Sequence, residues 1–209
     1  GQFSFTVRPE GGLAIIPLSA IELKQKSSDI RITSGNVSLD QMCGGGFFRD
    51  SIVLVSGATG TGKTLMTTEF MAGGFNIGER SLLFAYEESR EQLFRNARGW
   101  GVDFDAMERD GRLRVVCAYP ETASLEDHLL QTKAVIAEFK PNRVAIDSLS
   151  ALERIATNRS FREFVIGLTS YIKHQEVAAL FTSTTPSLMG GQSVTDTHIS
   201  TLTDSIILL

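Results

Sequence analysis

Apolar positions along this 209-residue chain fall into two alternating patterns. Short, nearly continuous runs rich in Val, Ile, Leu and Phe occupy 51–57 (SIVLVSG), 81–87 (SLLFAYE), 113–120 (LRVVCAYP), 143–149 (RVAIDSL) and 177–183 (VAALFTS). Runs of this kind predict buried strands. Between them the spacing becomes helical. Helices are predicted from Lys63 to about Asn76 and over SREQLFRNAR (89–98), where Ser89 and Gln92 have capping-box spacing. SLEDHLLQTKAVIAEFK (124–140) sets Leu125, Leu129, Val135, Ile136 and Phe139 at helical intervals and meets Pro141 as a stop. SFREFVIGLTSYIKHQ (160–175) is the fourth such segment. Strands alternating with helices predict an α/β fold with a mostly parallel, doubly wound sheet.

The two ends read differently. PEGG (9–12) and KQKSSD (24–29) break up short apolar pieces, so residues 1–40 are expected to form an arm or linker beside the sheet, with the domain proper over 41–209. Glycines 44–46 suit a tight turn, because glycine reaches positive φ without steric cost. The last six residues, DSIILL, are strand-like and lack a polar cap. An unpaired apolar strand invites edge-to-edge association, so the chain is expected to be a fragment cut within its sheet.

Length changes little in this picture, since at about 150 residues per domain the chain holds one α/β domain and an extension. No apolar run approaches the ~18 residues of a membrane span. The start, GQFSFTVRPE, has neither the basic opening nor the apolar stretch of a signal peptide. A cytoplasmic location without a membrane partner is therefore expected. The formal charge of −4 offers no broad attraction to nucleic acid. Cys43 and Cys117 stand alone and His128, His174 and His198 are scattered, which argues against a disulfide framework or a zinc site.

The strongest chemical signal is Gly57-Ala58-Thr59-Gly60-Thr61-Gly62-Lys63-Thr64, a complete G-x-x-x-x-G-K-[ST] string between a predicted strand and a predicted helix. Its glycines let backbone N–H groups turn inward around phosphate oxygens, at the positive end of the following helix. Lys63 would supply charge to the β- and γ-phosphates, and the Thr64 hydroxyl would ligate Mg²⁺. Glu87 and Glu88 end the second predicted strand. Because strand side chains alternate between faces, only one of the two is expected to face the nucleotide. That carboxylate would deprotonate an attacking oxygen or sit near Mg²⁺; the alternative is two solvated acids opening the next helix. Asp147, after the apolar Arg143–Ile146, has the pattern of a Walker B acid that holds Mg²⁺, with Ser148 assisting through a hydrogen bond. Trp100, the single tryptophan, is either a base-stacking residue or core filling. Residues 182–205 are half Ser and Thr, too polar for a core strand. They read as a hydroxyl-rich loop and edge strand, or as a segment whose hydroxyl accepts a γ-phosphate.

Taken together, MCGGGFF, SGATGTGKTL, LFAYEESREQL, VCAYPE, AIDSLSAL and TDTHISTLTD resemble the KaiC family of circadian clock ATPases, specifically its second, C-terminal RecA-like repeat. The resemblance runs from about Phe5 to Leu209. It implies a RecA-like fold assembled as a homo-hexameric ring, with ATP and Mg²⁺ at the subunit interfaces. It also implies two activities, slow ATP hydrolysis and reversible phosphorylation of the ring's own hydroxyls. Residues Thr59, Gly60, Thr61, Gly62, Lys63 and Thr64 would hold the phosphates, with Thr64, Glu87 and Asp147 around the metal. Glu87 would be the general base and Glu88 its companion. Trp100 and Ser148 would lie by the nucleotide. Ser200 and Thr201 match the phosphoacceptor pair, Thr195 a neighbouring threonine that tunes it, and Arg154 a contact to the phosphorylated acceptor. KaiA-like and KaiB-like partners are implied as well. Two other readings stay open on residues alone: a RecA-like nucleic-acid motor, disfavoured by charge, and a non-catalytic ring assembled by ATP.

Overall fold

The computed structural model describes residues 5–8, 12–15, 27–185, 199 and 202–209. Thr195, Ser200 and Thr201 lie outside the described residues. Strands β1 (Phe5–Arg8) and β2 (Gly12–Ile15) pair as an antiparallel hairpin. β3 (Arg31–Ile32) leads to helix α1 (Val37–Met42), capped by the Asn36 side chain, and then to β4 (Phe47–Phe48), which pairs antiparallel with β3. The body follows as β5 (Ile52–Gly57), α2 (Lys63–Asn76), β6 (Ser81–Ala85), α3 (Arg90–Gly99), α4 (Phe104–Arg109) and β7 (Leu113–Cys117). It continues with α5 (Leu125–Phe139), β8 (Arg143–Asp147), α6 (Leu149–Glu153), α7 (Asn158–His174), β9 (Ala178–Thr184) and β10 (Ser205–Leu208).

Six of these strands form one parallel sheet in the order β10-β5-β9-β8-β6-β7. Both faces are covered, which explains the continuous apolar runs. Ile52 and Leu54 of β5, with Leu82, Phe84, Val144 and Ile146, pack against α5 and α7 through Leu129, Ile136, Phe164 and Leu168. Val53 and Val55, with Leu83, Ala85 and Ala145, meet Phe70 and Met71 of α2 and Leu93 and Phe94 of α3 on the other face. The expected α/β, doubly wound fold is present.

Boundaries follow local chemistry. α2 spans its predicted residues, and α3 opens on the predicted Ser89–Gln92 capping box. α5 ends at Lys140 in the left-handed region (φ 50°), just ahead of Pro141. α7 begins two residues earlier than its apolar spacing suggested, because Thr157 caps it with Ser160.

One expectation is corrected. DSIILL is a paired strand: Ser205–Leu208 run parallel to Val53–Ser56 at the sheet edge. The strand predicted over 177–183 is β9, and Thr182 and Ser183, which open the Ser/Thr-rich stretch, are fully buried in it between β5 and β8. Polar side chains persist there because each finds a partner, Thr182 on Asp147 of β8 and Ser183 on Ser150 of α6.

The segment before β4 is fastened to α2 by backbone approach. Gly35 sits at φ +90° with Glu69 O only 1.9 Å from where a Cβ would lie. The fully buried Arg143 completes this junction through Thr33 O at 2.6 Å, Phe70 O at 3.1 Å and Glu79 at 2.5 Å.

Candidate functional site

The carboxyl ends of β5, β6, β8 and β9 open onto a cleft of about 360 Å³. This is where open α/β sheets hold ligands. One wall is the 58–62 loop and the first turn of α2, through Thr59, Gly60, Gly62, Lys63, Thr64 and Leu65. Gly60 (φ +84°) and Gly62 (φ +103°) take the left-handed conformation, and a Cβ on either would project into open space. A strand that ends in a left-handed turn and passes directly into a helix presents its N–H groups outward, a cradle for anionic oxygens. Gly57 is needed for closeness, because a Cβ there would lie 2.7 Å from the Thr61 hydroxyl and 2.8 Å from Leu209 O. Lys63 Nζ donates to Gly57 O at 2.9 Å and Ala58 O at 2.8 Å, so its ammonium lies under the loop. Burial pushes this ammonium below the usual lysine range, against the opposing pull of Asp147 and Glu87.

The opposite wall is acidic. Asp147 ends β8, only 7% exposed. Burial pushes its carboxyl up, and nearby Glu87 adds to this; hydrogen bonds from Thr182 and Thr64, together with the Lys63 charge, oppose it. Thr182 Oγ1 donates to Asp147 Oδ1 at 2.5 Å. Thr182→Val keeps the shape but removes this donor. The expected loss is about 1–3 kcal/mol at neutral pH, read by urea denaturation. The bond favours the ionised carboxylate, so the loss should shrink as pH falls through the raised Asp147 value and the acid takes up a proton. A loss unchanged by pH would contradict that role.

Both Glu87 and Glu88 line the cleft, which corrects the expectation that only one would face it. Strand alternation does not apply, because β6 ends at Ala85. Tyr86 N makes the last bond of the β6–β8 ladder, to Asp147 O at 2.7 Å, and residues 86–88 then form a bend. Glu87 is one-third exposed and pairs with Arg154 Nη1 at 3.3 Å. Glu88 is half-buried, and its carboxyl is raised by burial first, then by Asp147 and Glu87, against an Asn96 hydrogen bond and Arg95. Trp100, 42% exposed, caps the end of α3 on the cleft wall and is not core filling.

Thus Thr59, Gly60, Gly62, Lys63, Thr64, Glu87, Glu88, Trp100 and Asp147 converge. Three described candidates do not line the cleft. Thr61 bonds the Ala58 carbonyl at 2.9 Å and stiffens the loop. Ser148 is fully buried, and among the described residues its hydroxyl has no partner. Arg154 reaches the site only through Glu87. Sequence reasoning missed Asn96 and Thr184, which also line the cleft. Asn96 lies one helical turn before Trp100, so i,i+4 spacing was the available signal. Thr184 is held by its N–H on Ser150 Oγ at 2.8 Å, a contact 34 residues away in sequence that leaves no local trace.

The donor set fits a magnesium nucleotide. Among the described residues no three His, Cys, Asp or Glu side chains are grouped to hold a metal unaided. Asp147 with the Thr64 hydroxyl suits Mg²⁺, which keeps waters and phosphate oxygens as its other ligands. Among the described residues, no helix is long and apolar enough to cross a membrane.

Known proteins supply the remaining evidence. The sequence model of the family described as "ATPase: KaiC" matches residues 32–209. The chain is 72% identical over its full length to "Circadian clock protein KaiC3" of Synechocystis sp., covering 41% of that protein. It is 57% identical over its full length to "Circadian clock oscillator protein KaiC" of Thermostichus vulcanus and of Synechococcus elongatus, covering 40% of each. The chain therefore spans about two fifths of the length of these relatives. A P-loop cradle facing paired acids on a six-stranded parallel sheet is what such an ATPase needs, and the chain belongs to the KaiC ATPase family, with its RecA-like α/β fold.

Proposed function

We propose that this chain is the C-terminal RecA-like repeat of a KaiC-type clock protein, with residues 1–40 as the arm leading into it. Its activity is that of an ATPase, autokinase and autophosphatase that transfers the ATP γ-phosphate to Ser200 or Thr201 of a neighbouring subunit in a homo-hexamer. Glu87 takes the proton from the acceptor hydroxyl, the oxygen attacks the γ-phosphorus, and the bond to the β-phosphate oxygen breaks to release ADP. Glu88 stands beside it as the second carboxylate. Lys63 and the loop N–H groups of Thr59–Thr64 hold the phosphates, Trp100 lies against the nucleoside, and Thr64 and Asp147 hold Mg²⁺. Mg²⁺ held there would supply charge neutralisation for the transferring phosphoryl group. Thr195 tunes the acceptor pair, and Arg154 contacts the phosphorylated residue. The protein works in the cytoplasm, with KaiA-like and KaiB-like partners.

The convergence of the P-loop with Glu87, Glu88 and Asp147 in one cleft is the observation that carries this reading. A second observation favours transfer between subunits over transfer within one. Leu202 N bonds Ile199 O, and Asp204 N bonds Ile52 O, at the start of β5. The phosphate cradle begins at Gly57, at the other end of that strand, about 17 Å away at ~3.3 Å per residue. Ile199 and Leu202, the described neighbours of the acceptor pair in sequence, belong to the segment joined to that far end, which supports transfer to another copy, where assembly supplies the proximity.

Native and intact-mass measurements on the full-length protein, with and without ATP and Mg²⁺, test this together. The expected result is a hexamer that gains phosphate. A protein that hydrolyses ATP as a monomer and gains none would contradict it.

A further inference from the structure

The first turns of α3 place a neutral amide against one of the two proposed reaction-centre carboxylates. The Ser89 capping box fixes the helix start, so Glu88 lies just ahead of the helix and Asn96 two turns into it. Asn96 Nδ2 donates to Glu88 Oε2 at 3.1 Å. Both side chains line the cleft, and Trp100 joins them one turn further along. Glu88 faces like charge from Asp147 on β8 and from Glu87 in its own loop, with Arg95 of α3 as the attractive counter-charge. A carboxylate crowded by two others swings toward water unless a donor holds it. Among the described residues, Asn96 is the side chain that hydrogen-bonds it.

We propose that Asn96 is a positioning residue, whose amide holds the Glu88 carboxylate on the cleft wall beside Glu87 and sets where the second acid stands relative to the γ-phosphate. The proposal rests on the functional reading above, in which Glu88 accompanies Glu87 in phosphoryl transfer. The residue type suits the task. An aspartate at this position would add a further negative charge to the cluster. A lysine or arginine would pair with Glu88 and compete with Lys63 for phosphate oxygens. An amide supplies a directed donor with no net charge.

The test is steady-state ATP hydrolysis and γ-phosphate incorporation by the full-length protein and its variants. Asn96→Leu keeps the approximate shape and removes the donor. It should lower kcat about tenfold while moving the KM for ATP less than about twofold. Asn96→Gln, which keeps the amide, should recover much of the loss. In a Glu88→Gln background Asn96→Leu should cause no further loss, because it acts through that carboxylate. A raised KM with unchanged kcat would make Asn96 a plain nucleotide contact and overturn the proposal. Full additivity with Glu88→Gln would overturn it as well. Wild-type turnover accompanied by undiminished Asn96→Leu overturns the positioning role alone. A wild-type protein with neither hydrolysis nor transfer overturns the functional reading and this role with it.

Discussion

Glu87→Gln should reduce γ-phosphate incorporation by roughly 10²–10⁴-fold while leaving ATP binding near the wild-type level. The substitution preserves the length of the side chain and an oxygen that can still accept from Arg154, now 3.3 Å away. What it removes is the capacity to take a proton. Glu88 is a poor substitute, because its carboxylate is already engaged by Asn96 and sits deeper against Asp147. Glu87 is the more exposed of the two, which suits the role of base in the proposed transfer. Incorporation of label from γ-labelled ATP, read beside equilibrium binding of a fluorescent ATP analogue, separates chemistry from affinity. Unchanged incorporation would remove Glu87 from the role of base.

Arg143→Leu should destabilise the fold by about 3–5 kcal/mol, the usual effect of removing one partner of a buried ion pair. Arg143 begins β8 at the end of the sheet opposite the cleft, with no exposed surface. Its Nε is 2.5 Å from Glu79 Oε2, and its Nη1 serves the carbonyls of Thr33 and Phe70 together. Its guanidinium also lies 4.8 Å from the centre of the Phe70 ring. Leucine would leave Glu79 with only the half-exposed Arg49 and would remove the donor that ties Thr33 O to the body. Lysine should recover little, because a single ammonium cannot reproduce the fork that reaches three acceptors. Urea denaturation measures the change, and cleavage by a protease near Thr33 should become faster as that segment loosens. A loss below about 1 kcal/mol would mean that the network is not what fastens the segment to the body.

The sheet and its principal helices were legible in the sequence because buried parallel strands and amphipathic helices leave strong local periods. The phosphate cradle was legible too, since its glycines, Lys63 and Thr64 are contiguous. Features built from distant contacts were not. Thr182 and Ser183 fall in a predicted buried strand, but what satisfies their hydroxyls there, Asp147 and Ser150 at 35 and 33 positions away, leaves no local trace. The double exposure of Glu87 and Glu88 to one cleft depends on β6 releasing the chain at Ala85, which is set by where β8 ends and not by the local string. Arg143 reads as an ordinary strand opening, yet its partners come from α2 and from the loops at Thr33 and Glu79. The short α4 escaped notice although Asp103 caps it through Ala106 N, because six residues are too few to show a period.

The central claim is that this cleft phosphorylates the protein's own hydroxyls, and the most direct measurement is a site map. The full-length protein would be incubated with γ-labelled ATP and Mg²⁺, digested, and its labelled residues identified by mass spectrometry. The expected result is label on Ser200 and Thr201, lost in the Glu87→Gln protein. Label that settles elsewhere in the chain, or ATP turnover that leaves both residues unmodified, would contradict it.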